Sequence, residues 1–130
     1  MGRIFSPLDH ITLTPHEYEK ALLFYDSTLA TLGIQRLMPK EDSCGFGIDR
    51  PFFWLGAPDG EHPPSKNVHI SFSASSKEEV DAFYAAALQA GGKDNGAPGY
   101  RTTYHAGYYA AFVFDLDNNN IEVVYRETGA

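Results

Sequence analysis

From residue 8 to residue 14, Leu8, His10, Thr12 and Thr14 alternate with Asp9, Ile11 and Leu13. This is the period-two pattern of a half-buried strand, with His10 on its more polar side. Thr14-Pro15-His16-Glu17 then reads as a helix start, with Thr14 as N-cap, Pro15 in the first turn and Glu17 closing a capping box. Tyr18, Leu22, Tyr25, Leu29 and Leu32 recur at helical spacing until Gly33, where a left-handed cap suits glycine. The pattern then predicts strands over 34–38, 44–48 and 52–55, separated by turns at 39–43 and 49–51.

The same order is written a second time. A shift of 59 positions carries His10 onto His69, Ile11 onto Ile70, Glu19 onto Glu78, Phe24-Tyr25 onto Phe83-Tyr84, Leu29 onto Leu88 and Gly33 onto Gly92. Val68, Ile70 and Phe72 make an apolar strand face, leaving His69, Ser71 and Ser73 on the polar one. A serine at 75 or 76 caps a second helix, whose stripe is Val80, Phe83, Tyr84, Ala87 and Leu88 and which stops at Gly91-Gly92. Residues 93–99 read as loop, 108–114 as a strand, 115–119 as a turn and 121–126 as the last strand. There Ile121, Val123 and Tyr125 face the core and Glu122 faces the other way. The expected fold is α+β, two βαβββ modules related by a pseudo-twofold in one domain spanning 1–130. Module one covers about 8–57, a Gly- and Pro-rich linker 58–67 and module two about 68–126.

Composition narrows the function. With 130 residues and 43% hydrophobic content the chain can bury its own core. Ten Lys and Arg are scattered among seventeen Asp and Glu, for a net charge of −7, which argues against a nucleic-acid surface. No apolar run reaches the ~20 residues of a membrane span, and the first six residues do not form a signal peptide, so a cytoplasmic protein is expected. The single cysteine, Cys44, agrees with a reducing compartment. A small molecule is the expected partner.

His10, His69 and Glu122 each fall on the strand face opposite the one a helix must cover. Two imidazoles and a carboxylate form a sufficient facial ligand set for Zn, Ni, Mn, Co or Fe, leaving positions open for water or substrate. A second stretch with chemical potential runs from Tyr100 to His105. In it His105 is a candidate general acid or base, Tyr104 a group to orient an oxyanion, and Arg101 an anchor for a carboxylate or phosphate. Trp54 and Tyr108 are candidates for the substrate pocket wall.

The DHITL opening with its FYDSTL helix, the VHISF strand and the closing DLDNNNIEVVY run resemble the vicinal oxygen chelate superfamily. That superfamily holds glyoxalase I, extradiol dioxygenases and bleomycin-binding proteins. The resemblance implies metal ligands at His10, His69 and Glu122. Its fourth ligand place falls near Trp54, which cannot ligate, and Leu116 and Asn118 replace the proline and glycine of the final turn. The implied activity is a divalent-metal-dependent lyase or isomerase acting on a substrate that chelates the metal through adjacent oxygens. An extradiol-type dioxygenase and a metal-free drug-binding protein are the alternatives. A homodimer is also in keeping with the resemblance, since such units often exchange or pair edge strands.

Overall fold

The computed structural model describes residues 7–127. Along them run β1 (Ile11–Leu13), α1 (Tyr18–Ala30), β2 (Gln35–Pro39), β3 (Ser43–Gly47), β4 (Pro51–Gly56), β5 (His69–Ser73), α2 (Lys77–Gln89), β6 (Lys93–Tyr100), β7 (Tyr108–Phe114) and β8 (Asn120–Arg126). The strands form two four-stranded sheets with the same pattern, β1-β4-β3-β2 and β5-β8-β7-β6. In each, the first strand of the module pairs parallel with its last, placing Ile11 beside Phe53 and Ile70 beside Ile121. The repeat seen in the sequence is therefore a repeat of the βαβββ module.

The two modules share one core. Leu22, Phe24, Tyr25 and Leu29 of α1 and Val80, Phe83 and Ala87 of α2 are buried with Phe46, Phe53, Leu55, Ile121 and Val123 from both sheets. The helices touch each other, and the rings of Phe53 and Phe72 meet edge to face across the modules with centroids 5.3 Å apart. Each buried Val, Leu, Ile or Phe among them contributes about 1.5–3 kcal/mol, so α1 and α2 are held by packing more than by helix propensity.

Several local expectations are corrected. The first helix starts at Tyr18 with Glu17 as N-cap and no side-chain cap, not at Thr14. Its approach is tied down from the second module instead, where the Asp117 carboxylate accepts the His16 amide at 3.2 Å. Burial raises the Asp117 carboxyl above its ordinary range, against the pull of that amide. Thr14 pairs with the linker, donating its amide to Ser65 Oγ at 2.9 Å and accepting the Ser65 amide at 2.6 Å. Residues 93–99 are strand rather than loop: β6 pairs with β7 through two register shifts, so its Gly and Pro residues sit in bulges. Leu88 is exposed, because α2 turns only Val80, Phe83 and Ala87 fully inward. Other expectations hold. Ser76 caps α2 by accepting the Glu79 amide at 3.2 Å, while Glu79 accepts the Ser75 amide at 2.7 Å. Gly33 sits at φ +78° and Asn118 makes the final turn at φ +64°.

Candidate functional site

One face of each sheet packs into the shared core, and the opposite face of the second sheet carries the polar chemistry. On β8, Ile121 and Val123 point into the core, so alternation turns Glu122 and Val124 the other way. Glu122 lies between Ser71 of β5 and Phe112 of β7. His69, the first residue of β5, bonds its Nε2 to Glu122 Oε1 at 2.9 Å. A carboxylate only accepts, so Nε2 carries the hydrogen of this bond. The Tyr108 hydroxyl donates to the other oxygen, Oε2. Tyr108 packs over Ala110, Phe112 and Val124, and the small Ala110 leaves room for that ring.

The two partners differ in access. The Glu122 side chain is 4% exposed and that of His69 53%, so the carboxylate is shielded while the imidazole meets solvent. Burial first, then the bond to Glu122, pushes the Tyr108 phenol up to about 12, with Arg126 pulling it down. At neutral pH Tyr108 is a hydrogen-bond donor and not a base.

Aromatic and cationic groups extend this patch. The Phe112 ring lies 6.3 Å from that of His69, and the Arg101 guanidinium sits 5.4 Å over Phe112. The Arg126 guanidinium sits 4.8 Å over Tyr108, against which Tyr104 packs edge to face at 5.2 Å. Arg101, Tyr104 and Tyr108 thus lie on one surface with Glu122. Phe112 and Arg126 were not singled out from the sequence. Strand alternation held the signal: Arg126 is four residues from Glu122 on one strand, and Phe112 is its cross-strand neighbour.

His105 lies in the exposed turn between β6 and β7, with Nδ1 against the Ala106 carbonyl at 2.8 Å. His10 stands apart from Glu122. Its Nδ1 meets Asp9 Oδ2 at 2.7 Å, and Arg50 Nη2 meets Asp9 Oδ1 at 2.9 Å. The His10 bond and then the Arg50 charge lower the Asp9 carboxyl. His10 lines a cavity of about 410 Å3 with Phe52, Ile70 and Ser73, whereas His69 lines another of about 450 Å3 with Thr12 and Ser71. Both cavities lie along the cleft between β1 and β5, strands that no backbone bond joins. Among the described residues no group of three or more His, Cys, Asp or Glu stands close enough to hold a metal.

Trp54 belongs to the first sheet, on the face opposite Phe53 and Leu55, with Lys40 5.9 Å from its ring. It lies across Gly45, where a Cβ would come within 2.9 Å of the indole. Phe46 and Phe53 are core residues. Cys44 is buried, and burial pushes its thiol up.

Residues 7–123 match the family model of the Glyoxalase/Bleomycin resistance protein/Dioxygenase superfamily. A glyoxalase/bleomycin resistance protein from Albidiferax ferrireducens T118 is 28% identical, with a TM-score of 0.84 over 93% of this chain and 100% of that one. A glyoxalase/bleomycin resistance protein/dioxygenase family enzyme from Burkholderia phytofirmans PsJN shares the fold at 19% identity and TM-score 0.70, over 93% and 99% of the two chains. So does a lactoylglutathione lyase from Agrobacterium tumefaciens, at 19% identity and TM-score 0.64 over 98% and 99%. No curated protein matches.

Proposed function

This chain belongs to the Glyoxalase/Bleomycin resistance protein/Dioxygenase superfamily, and from that premise we propose that it is a divalent-metal-dependent lyase or isomerase for a small substrate bearing adjacent oxygens. The observation that carries the reading is the meeting of His69 and Tyr108 on the two oxygens of one shielded carboxylate, Glu122, on a sheet face that the helices leave uncovered. His69 and Glu122 are two ligands of the right chemistry for Zn, Ni, Mn, Co or Fe. Among the described residues they lack a third, and we assign it to His10 of a second copy in a homodimer. In this reading the bond that His10 Nδ1 donates to Asp9 orients the imidazole as a ligand, as a carboxylate behind a metal-binding histidine does.

A bound divalent cation would stabilise negative charge developing on the adjacent oxygens of the substrate. The chain's own residues supply the rest. Tyr108, held protonated, would serve as a hydrogen-bond donor to an oxyanion of the substrate. His105 and Tyr104, on the turn beside Tyr108, are the candidates for moving a proton. Phe112 supplies an apolar wall next to His69. A cytoplasmic location is part of the proposal, in keeping with a single buried cysteine. Among the described residues no helix is long and apolar enough to cross a membrane. The isolation of His10 favours one second reading, a metal-free binding protein of the bleomycin-resistance kind; an extradiol-type dioxygenase would use the same ligands.

Elemental analysis of untagged protein tests the proposal. Wild type is expected to carry near-stoichiometric metal, and His69→Ala, Glu122→Ala and His10→Ala to lose it. Co-expressed His10→Ala and Glu122→Ala chains should regain part of it, because a mixed dimer holds one intact site. Wild type that stays empty after incubation with Fe(II), Mn(II), Ni(II) and Zn(II) would leave the metal-free reading standing.

A further inference from the structure

Seventeen acidic residues surround the ten basic ones in this chain, and the arginines divide by where they stand. Arg36 makes a two-pronged pair with Asp26 at 2.7 and 2.8 Å, and Arg50 pairs with Asp9 at 2.9 Å. Arg101 and Arg126 pair with no carboxylate among the described residues. Arg101 spends one bond on the Ala97 carbonyl at 2.8 Å, and the Arg126 side chain makes none among the described residues. Both lie on the face that holds Glu122.

Their placement is built by the backbone. The Arg101 amide donates to the Tyr108 carbonyl at 2.7 Å, and Tyr108 is the cross-strand partner of Arg126. The three residues therefore form a row across adjacent chain segments, with roughly 10 Å between the outer two. That span is short enough for two arginine side chains to meet on one anion. Each guanidinium is supported on an aromatic ring, Arg101 on Phe112 and Arg126 on Tyr108, and such stacking leaves the planar fork of donors free at its edge. The supporting rings lead to the same place. Phe112 lies against His69, Tyr108 donates to Glu122, and His69 closes the path between them. The Glu122 charge, shared between two donors, is screened from an anion bound above it.

We propose that Arg101 and Arg126 together anchor the oxyanion of an organic carboxylate, phosphate or phosphonate ester-type substrate, whose remaining atoms reach past Phe112 and Tyr108 to His69 and Glu122. The proposal rests on the reading of that face as the reaction site, and it restricts the substrate to anionic small molecules.

Calorimetric titration with phenylphosphonate, at low and at physiological salt, tests it. Wild type should bind saturably, more weakly at higher salt. Arg101→Gln and Arg126→Gln should each weaken binding by about tenfold and the double variant by about 100-fold, the loss expected for one charge-assisted contact at a time. Arg126 is exposed and its side chain makes no hydrogen bond among the described residues, so its substitution leaves the fold intact. Inorganic phosphate should bind less tightly than phenylphosphonate, and uncharged benzyl alcohol not measurably. Equal binding by wild type and the double variant, or phosphate binding as tightly as the aryl compound, would overturn the proposal. Glu122→Gln separates it from the metal reading: anchoring by arginine survives that change, whereas binding through a metal is lost with the metal. Arginine-dependent binding in wild-type protein that takes up no metal would keep this proposal and remove the other.

Discussion

Two carboxylates seven residues apart, Asp115 and Glu122, are about equally hidden, yet the chain uses them differently. Asp115 accepts the Tyr25 hydroxyl at 2.6 Å, the Asp117 and Asn119 amides at 2.9 Å each, and the Asn119 side-chain amide at 3.2 Å. Two of these donors are backbone, and Tyr25 comes from α1 in the other module. Asn119 in turn accepts the Val68 amide at 3.0 Å, at the start of β5. Every link is internal, so the network fixes how the modules join. Among the described residues Glu122 is held only by side chains, His69 and Tyr108, and His69 is half open to solvent. A carboxylate satisfied by backbone is committed to the fold, whereas one satisfied by rotatable side chains can exchange them for a ligand.

Breaking the internal network should have the largest effect. Asp115→Ala strands the Tyr25 hydroxyl and the Asn119 amide in the core and should cost about 3 kcal/mol or more in urea unfolding. Asp115→Ala protein with wild-type stability would dissolve the contrast. Tyr25→Phe removes one donor and leaves Asp115 three, so a smaller loss of about 1–2 kcal/mol is expected by the same measurement. At the other carboxylate the balance inverts. Glu122→Gln can still accept from Tyr108 and offer an amide to His69, so stability should change by no more than about 1 kcal/mol. Metal retention, read by elemental analysis after dialysis, should fall by at least about 100-fold.

The smallest effect is a slope. Burial and the Glu122 bond raise the Tyr108 phenol to about 12, above the ordinary value near 10 it takes in the unfolded chain. The native state then holds a proton that the unfolded state releases. The stabilisation is complete below about pH 10 and is lost as the pH climbs toward 12. Tyr108→Phe should therefore show a shallower fall in stability than wild type across that interval. Parallel curves would mean that the phenol is not held by Glu122 in solution.

Much of the architecture could be read from residue order. Alternation in residues 68–73 and 121–126 placed His69 and Glu122 opposite their core-facing neighbours, and the structure bonds them to each other. A serine at 75 or 76 marked the start of α2 because helix capping is local chemistry. The start of α1 was misread for the complementary reason: its amide is served by Asp117, a hundred residues on, and no local pattern reports that. The strand at β6 was hidden by glycines and a proline that suit bulges once β7 is alongside.

The sequence by itself therefore determined the repeated βαβββ order, the family, and which residues leave each strand away from the core, because periodicity and capping act within a few residues. Only the tertiary structure decided that α1 is stapled to the second module through Tyr25 and Asp115, that Tyr108 reaches Glu122 and Arg126 covers Tyr108, and that His10 stands with Asp9 and Arg50 away from Glu122. Those outcomes depend on which strands lie side by side and how far each side chain reaches across them, and distance along the chain does not record either.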